Sequence, residues 1–534
     1  MATPQTNHGE VIDEVLAVAE ERSRTYLRTL DFRCVYPREH ALAGLAHFRE
    51  PMPEMPSHPV DVVRMLDKYG SPSTVATTGG RYFGFVIGGV LPAALAASRL
   101  VSTWDQNAAL RVMSPLVAEI EDVVLRWIRE ILGLPKDCEG GIVTCATTAN
   151  FAALAAARQA LLARSGWNVA DDGMFGAPPI EVVVGEEVHA SILKALNLAG
   201  FGRNRLTRVP VDGQGRMRVD KLPKLKKNSL VCIQAGNVNT GAFDPAEEIC
   251  RWAHESDAWV HVDGAFGLWA AASPKYRHLV SGFELADSWA TDAHKWPNVN
   301  YDCGIVLVRE AEALRAAMTI SAAYLQPGLE REPAIQTPDT SRRARAVELW
   351  AALKSLGKQG LAELIERTCK HARRFAEGLG EAGCEILNDV VINQVLVSFG
   401  TAEVTQEVMH RVQEDGTCWW RDGMARENGD AHQRVVLGDN GGRRGTELGR
   451  HYTHRTASER VKTERPTFLP RQGKQKVATA RPCTVSGLRC AILSACPHES
   501  SMGRKFATKF LVNLRLRLRS SPDKAFVLGW RRYW

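Results

Sequence analysis

Between residues 140 and 310 the chain alternates helical segments with short, continuous runs of apolar and β-branched residues. Continuous runs of this kind predict strands that are buried on both faces. Helical segments separate the runs, as the crossover connections of parallel strands require. The predicted strands are EVVVG, SLVCIQAG, AWVHVDGA and CGIVLVR. The alternation therefore predicts an α/β fold built on a mostly parallel sheet.

The rest of the sequence divides into further predicted parts. Residues 1–75 form a helical N-terminal arm, which the Pro-rich stretch REPMPEMPSHP interrupts. Residues 76–375 are predicted to form the large domain. A long helix is predicted over roughly 340–380, at the end of this domain. The run VVINQVLVSFG and the segment TAEVTQEVMHRVQE predict a strand and a helix. These two elements begin a smaller C-terminal α+β domain at 376–420.

The composition is that of a soluble globular protein, with 45% hydrophobic and 24% charged residues. The most apolar run, VIGGVLPAALAA, is about half the ~20 residues that a membrane-spanning helix needs. The N-terminal sequence is acidic and amphipathic, which is not the pattern of a secretory signal. The 12 cysteines are scattered without a CxxC pair. We therefore expect reduced thiols and a cytoplasmic location, with no membrane partner.

Four polar groups follow the predicted strands at the ends where functional residues of α/β sheets gather. Thr147 opens a helix in GGIVTCATTAN, and His189 follows EVVVG. Asp263 ends the run AWVHV, and Lys295 lies in TDAHKW before the strand CGIVLV. Taken singly, they read equally well as a helix cap, a buried structural histidine, a turn aspartate and a solvated loop lysine. Their occurrence together indicates a site.

The chemistry that needs this set is that of pyridoxal phosphate. No GxxxxGK[ST], GxSxG or HExxH motif occurs before residue 421, and no spacing predicts a metal site. A lysine amine, a carboxylate facing a pyridine nitrogen and a helix N-terminus for a phosphate are what a protein supplies to pyridoxal phosphate. Partial burial favours the uncharged amine that acts as the nucleophile.

The same residues carry a family resemblance. HVDGAFG, followed about thirty residues later by TDAHKW and YDCG, resembles the group II pyridoxal-phosphate decarboxylases. These include the aromatic amino acid, histidine and glutamate decarboxylases. GRYFGFV, GGIVTCATTANFAALAAAR and QAGNVNTGAFDP occur in the family's order. The resemblance runs from about residue 20 to 418 and implies the fold-type I architecture of aspartate aminotransferase and a homodimer with shared active sites.

The resemblance also implies roles for individual residues. Lys295 corresponds to the Schiff-base lysine and Asp263 to the partner of the pyridine nitrogen. Ala146 and Thr147 correspond to phosphate contacts, and His294 to a further cofactor contact.

Three further residues take roles from the same resemblance. His189 corresponds to the imidazole that stacks on the cofactor ring. Tyr324 corresponds to a mobile-loop tyrosine that protonates the substrate carbon after CO₂ leaves. A threonine contact of relatives falls here within NVN, which places Asn237 at the cofactor.

The resemblance implies α-decarboxylation of an L-amino acid to the amine and CO₂. Because the related aldehyde synthases typically carry phenylalanine at its position, Tyr324 favours decarboxylation. Tyr82, Phe83 and Phe85 in GRYFGFV favour an aromatic or apolar substrate, although they are equally typical of core packing. The alternatives are another reaction with the same cofactor (aldehyde synthase, transaminase or carbon–carbon lyase) and a catalytically inactive protein whose basic tail binds nucleic acid or membrane.

The tail, 421–534, holds 24 Lys and Arg against 9 Asp and Glu, whereas 1–420 holds 43 against 51. Such asymmetry is typical of a nucleic-acid-binding or membrane-binding appendage. The resemblance, however, stops after QEDGTCW, where relatives continue close to W-x-G-x-x-A-M-R-I-S-V-S. The printed run MARENGDAHQRVVLGD can be encoded so that reading one base later gives WQGKTAMRISVSSWA. We therefore expect an out-of-frame tail without a native fold, no nucleic-acid partner, and a chain of low stability and weak activity.

Overall fold

A computed structural model of the chain describes residues 8–319, 331–422 and 435–438. Twelve α-helices lie in these ranges. They are α1 His8–Thr29, α2 Glu39–Ala43, α3 Pro59–Met65, α4 Pro92–Trp104, α5 Pro115–Leu132, α6 Ala146–Ala163, α7 Val169–Asp172, α8 Ala190–Leu198, α9 Ala246–His254, α10 Ala311–Met318, α11 Arg345–Glu381 and α12 Ala402–Asp415. None of these described helices is both long enough and apolar enough to cross a bilayer.

Eleven strands form two sheets in the described residues. The strands are β1 Glu139–Val143, β2 Glu181–Gly185, β3 Leu206–Val209, β4 Ser229–Gln234, β5 Trp259–Asp263, β6 Ser288–Asp292, β7 Gly304–Val308, β8 Glu385–Ile386, β9 Gln394–Ser398, β10 Arg421–Asp422 and β11 Val435–Gly438. The large sheet has the order β1-β7-β6-β5-β4-β2-β3, and the small sheet has the order β10-β11-β9-β8.

The large sheet is mostly parallel, as the sequence predicts. Strands β3, β2, β4, β5 and β6 run in one direction, and β7 is antiparallel to both of its neighbours, β6 and β1. All residues of β4, β5, β6 and β7 are buried, so helices cover both faces. The carboxyl ends of β1 and of the five parallel strands therefore lie at one edge of the sheet.

Local signals in the sequence account for the helix ends. Helix α5 begins with Pro115 at its first position, where a missing N–H costs nothing, and ends at Gly133 with φ 68°. Helix α11, the predicted long helix, is interrupted at Gly357, where φ is 61° and ψ is 179°. Strand β9 and helix α12 are the predicted first elements after residue 376.

One short segment, 81–84, joins the part of the chain before the large sheet to residues that follow α12. Tyr82 and Trp419 form an isolated parallel bridge, and their rings stack with centroids 4.9 Å apart. The backbone N–H of Phe83 donates to the carbonyl of Trp419 at 3.1 Å. A side chain at Gly84 would overlap the Trp419 ring. The segment from 81 to 84 is therefore fixed by residues that follow it by more than 330 positions.

Candidate active site

The predicted site residues lie at the carboxyl edge of the large sheet. Thr144 and Cys145 follow β1 and lead into α6, and His189 is the N-terminal cap of α8 after β2. Asp263 is the last residue of β5. Lys295 lies three residues after the end of β6. Parallel strands thus carry these polar groups to a common edge, as the sequence predicts.

Lys295 is partly buried, with 17% of its side chain exposed. Its Nζ lies 3.0 Å from Oδ2 of Asp292, whose side chain is only 3% exposed. The backbone of this turn is tightly covered, because a Cβ on Gly88 would lie 2.2 Å from the carbonyl oxygen of Lys295. The backbone N–H of Gly88 also donates to the carbonyl of His294 at 3.2 Å. The lysine therefore extends from a fixed turn, and its amine meets a carboxylate.

Asp292 is a site residue that the sequence prediction missed. Its Oδ1 accepts the backbone N–H of Ala146, the first residue of α6, at 2.6 Å. Its Oδ2 lies 3.6 Å from Nε2 of His294. Strand β6, which carries it, was also not predicted. The only available signal was an acidic residue three positions before the lysine.

Asp263 is 5% exposed and is held by three donors. Asn150 Nδ2 donates to its Oδ2 at 3.4 Å, and the Ser191 hydroxyl donates to the same oxygen at 3.3 Å. The backbone N–H of Ala265 donates to Oδ1 at 3.2 Å. Because all three neighbours donate, Asp263 is kept as an acceptor. It is suited to receive a proton-bearing ring nitrogen.

His189 is joined to Asp263 through Ser191. Nδ1 of His189 accepts the backbone N–H of Ser191 at 3.1 Å and lies 2.8 Å from the Ser191 hydroxyl oxygen. The cap therefore fixes the imidazole at the start of α8, and Nε2 carries the proton of the neutral ring. Ser191, like Asn150, was not predicted as a site residue.

His294 is buried, with 4% of its surface exposed. Its Nδ1 accepts the backbone N–H of Cys303 at 3.2 Å, and its ring centroid lies 4.2 Å from that of Tyr301. Burial lowers the pKa of His294, and the positive charge of Lys295 lowers it further, against an opposing effect of Asp292. The imidazole is therefore neutral at physiological pH.

The remaining predicted residues have different placements. Thr147 is half-buried in the first turn of α6. Asn237 is 1% exposed, and its Oδ1 accepts the backbone N–H groups of Asn239 and Thr240 at 2.9 and 3.2 Å. Its amide nitrogen donates to Glu187. These contacts make it a turn residue, and none of its hydrogen bonds in the described chain reaches Lys295 or Asp263. Tyr324 lies outside the described residues.

The aromatic segment before the site has both structural and exposed members. Tyr82 and Phe83 are buried against Trp419 and against Phe375, respectively. Phe85, in contrast, is 41% exposed, although its ring lies 5.5 Å from that of Trp419. For Tyr82 and Phe83 the core-packing alternative is therefore supported. Phe85 is the member of the segment that is available to a ligand.

This donor set fits pyridoxal phosphate. Four groups lie at one edge of the sheet. They are the amine of Lys295, the buried carboxylate of Asp263, the imidazole of His189 and the N-terminus of α6. They match the aldehyde, the ring nitrogen, the ring face and the phosphate of that cofactor. The one group that does not match is the Asp292 carboxylate, which already accepts the N–H of Ala146.

Comparisons with known proteins agree with this fit. The family described as the pyridoxal-dependent decarboxylase conserved domain matches residues 76–401. The aromatic-L-amino-acid decarboxylase of Drosophila lebanonensis is 30% identical over 337 residues, which are 57% of this chain and 80% of that protein. An acidic amino acid decarboxylase of Bos taurus is 29% identical over 318 residues, which are 57% of this chain and 60% of that protein.

The fold has solved counterparts. The structure of Catharanthus roseus tryptophan decarboxylase in complex with L-tryptophan superposes with a TM-score of 0.72 at 21% identity. The match covers 82% of this chain and 95% of that one. It establishes the fold-type I architecture that the resemblance implies. The chain therefore belongs to the family of pyridoxal-dependent decarboxylases and is an enzyme that uses pyridoxal phosphate as its cofactor.

Proposed function

We propose that the protein converts an aromatic L-amino acid to its amine and CO₂ at the site around Lys295 and Asp263. One observation carries this proposal. Ala146 and Asn150, one turn apart on α6, contact Asp292 at 2.6 Å and Asp263 at 3.4 Å. Because Asp292 also contacts Lys295, a single helical turn connects the lysine and the carboxylate that the chemistry requires.

In this proposal Lys295 binds the cofactor covalently through its amine, and Asp263 accepts the N–H of the pyridine ring. When bound, pyridoxal phosphate supplies a ring that accepts the electron pair left by the departing carboxylate. Asn150, Ser191 and the backbone of Ala265 donate to Asp263 and so hold its side chain as an acceptor. A protonated ring nitrogen is thereby favoured.

The other residues of the proposed site orient the cofactor. The backbone of Ala146 and the side chain of Thr147 contact the phosphate at the start of α6, where partial positive charge favours an anion. His189 lies against the ring face, and His294 supports the turn that carries Lys295. We do not include Asn237, because the backbone of its own turn occupies its side-chain oxygen.

We propose Tyr324 as the group that protonates the substrate Cα after CO₂ leaves. A phenol is a suitable acid because it donates a proton to carbon and can recover it from solvent. His189 is the alternative donor.

The substrate class is proposed from Phe85. Its ring is 41% exposed and belongs to the segment whose Gly88 packs on the backbone of Lys295. An exposed aromatic residue in the segment that packs on the Lys295 turn favours an aromatic substrate side chain by stacking. Tyr82 and Phe83 do not contribute, because they are buried against Trp419 and Phe375, respectively.

A screen of amine products over the common amino acids tests this proposal. Cofactor-loaded protein is expected to release amine and CO₂ from an aromatic amino acid. Phe85→Ala should raise KM for that substrate more than it lowers kcat, whereas Phe175→Ala, a change at a fully exposed ring, should alter neither. Decarboxylation of glutamate or aspartate alone would refute the aromatic substrate, and aldehyde or keto-acid products would refute decarboxylation to an amine.

We also propose a homodimer. Several large apolar side chains of the N-terminal arm and of the segment after α4 are exposed in the single chain: Ile12, Leu16, Phe32, Met52, Met55, Trp104, Val112 and Met113. Many large exposed apolar side chains are typical of a chain that buries part of its surface against a partner. A molar mass twice that of the 58.8 kDa chain in light scattering is expected. A monomer that retains full activity would refute the proposal.

Two further proposals concern the location of the protein in the cell and the origin of residues 421–534. A cytoplasmic location is supported by the 12 cysteines of the sequence, which are scattered without a CxxC pair. We propose that residues 421–534 come from an out-of-frame translation, which the shifted reading WQGKTAMRISVSSWA supports. The basic tail is then neither a nucleic-acid module nor a membrane anchor.

A further inference from the structure

Asp292 holds the two groups that the proposed site offers to the cofactor. Its Oδ1 accepts the N–H of Ala146 at 2.6 Å, and its Oδ2 faces the Lys295 ammonium at 3.0 Å. The side chain is 3% exposed, so water does little to screen its charge. The carboxylate is therefore an anion bound at the start of α6.

The position of this carboxylate conflicts with a second anion. A phosphate that binds the first turn of α6 competes with Asp292 for the Ala146 N–H, and the two negative charges repel each other. His294, whose Nε2 is 3.6 Å from Asp292, does not offset the charge because burial keeps its imidazole neutral. Lys295 offsets it only while its amine carries a full positive charge.

We propose that Asp292 is a positioning residue that pairs with the Lys295 amine and weakens the binding of the cofactor's phosphate. This proposal rests on the proposed function, in which α6 receives the phosphate and Lys295 the aldehyde. Its consequence is an enzyme that exchanges its cofactor readily. Asp292 lowers the affinity for pyridoxal phosphate by repelling its phosphate group, and it does not act on the pyridine ring.

Two forms of the cofactor separate this role from a purely structural one. Pyridoxal phosphate and pyridoxal carry the same aldehyde, which condenses with the Lys295 amine and releases one water. Only the first carries a phosphate. Any effect of Asp292 on the lysine alone changes the affinities of both compounds equally. The ratio of the two dissociation constants therefore reports the interaction with the phosphate.

The experiment titrates cofactor-free wild type and Asp292→Asn with each compound, followed by the visible absorbance of the lysine-bound form. We expect the preference for pyridoxal phosphate over pyridoxal to rise about tenfold in Asp292→Asn, because one charge repulsion is removed. Asp302→Asn is the matched control. It removes a carboxylate from the same loop, where Asp302 pairs with Arg345 at 2.6 Å, and should leave the ratio unchanged.

An unchanged or smaller ratio in Asp292→Asn overturns the proposal and leaves the proposed function standing. Binding of neither compound by wild type overturns both. Circular dichroism confirms that each variant is folded. If Asp292→Asn does not fold, Asp292→Ser, which is neutral and smaller and still accepts the Ala146 N–H, is expected to give the same rise in the ratio.

Discussion

The side-chain amide of Asn150 lies between Asp263 and His261, with Nδ2 at 3.4 Å from Oδ2 of Asp263 and Oδ1 at 2.9 Å from Nε2 of His261. Since a carboxylate only accepts, the amide nitrogen must face Asp263 and its oxygen must face the imidazole. Nε2 of His261 therefore carries the proton. Its Nδ1 lies 2.9 Å from the Ser288 hydroxyl, which donates to it.

Replacement of Asn150 is expected to affect both stability and the cofactor. Asn150→Ala leaves the buried N–H of His261 without its acceptor, which costs about 1–3 kcal/mol of unfolding free energy. Asp263 also loses one donor, so the affinity for pyridoxal phosphate should fall. Urea unfolding and cofactor titration measure the two effects. Gln159→Ala on the same helix is the control, and equal losses in both variants would contradict the prediction.

Removal of Lys295 is expected to abolish the visible absorbance of the cofactor-loaded enzyme. Lys295→Ala should also lower the unfolding free energy by about 3 kcal/mol, because it leaves the buried Asp292 without its counter-ion. The double variant with Asp292→Asn should recover part of that loss. Lys275→Ala, at an exposed lysine, should change neither property. Retention of the absorbance in Lys295→Ala would show that another amine binds the cofactor.

The phenol of Tyr324 is expected to control the product. Tyr324→Phe should retain the cofactor and bind substrate, while amine formation falls and, with dissolved O₂ as the oxidant and water as the source of the aldehyde oxygen, aldehyde, ammonia and peroxide appear. Tyr301→Phe, beside His294, serves as the comparison and should keep the amine as its product. Product analysis by chromatography distinguishes the two variants. An unchanged amine yield in Tyr324→Phe would indicate that His189 delivers the proton.

Acid is expected to destabilise the protein partly through His261. Complete burial lowers the pKa of His261 to about 3, whereas an unfolded histidine titrates near about 6.5. At a pH between these two pKa values, His261 is protonated in the unfolded chain and neutral in the folded chain. Stability is therefore lost as the pH falls below 6.5, by up to about 1.4 kcal/mol per pH unit. Urea unfolding from pH 7 to pH 4 should show a smaller loss for His261→Gln than for wild type, and equal slopes would contradict this.

The tail prediction is decided by DNA. Sequencing of the gene around codon 420 is expected to show the family segment in the neighbouring frame. Protein translated in that frame should melt at a higher temperature and have higher decarboxylase activity than the chain as printed. If the neighbouring frame does not encode W-x-G-x-x-A-M-R, the basic tail is a true appendage.

The sequence allowed prediction of those parts of the structure whose causes are local. Strands such as β2 and β5 were predicted because valine dominates their sequences, EVVVG and WVHVD. Strand β6 was missed because SWATD is largely polar, and it is buried only because distant residues satisfy its side chains. Ser288, for example, receives the indole N–H of Trp259 at 2.9 Å.

The same distinction holds in the site. Lys295 and Asp263 were predicted from short motifs that each contain their own signal. Asn150 contacts Asp263 across 113 positions of sequence, and Ala146 contacts Asp292 across 146. No periodicity or spacing encodes such pairings, since the packing of α6 on the sheet creates them. The side-chain oxygen of Asn237, which the resemblance places at the cofactor, accepts two backbone N–H groups of its own turn, and the motif alone does not predict these contacts.

The bridge between Tyr82 and Trp419 has a consequence for the growing chain. Arg81 donates to the carbonyl of Thr417 across 336 positions, so the partner of this segment at residues 417–419 is not present until nearly all of the described chain has been made. At about 5–20 residues per second, the ribosome needs roughly 20 to 70 s to supply that partner. During this interval the aromatic run GRYFGFV is accessible to chaperones and to other nascent chains. Slow synthesis or a shortage of chaperones should therefore lower the yield of this enzyme before any catalytic residue is affected.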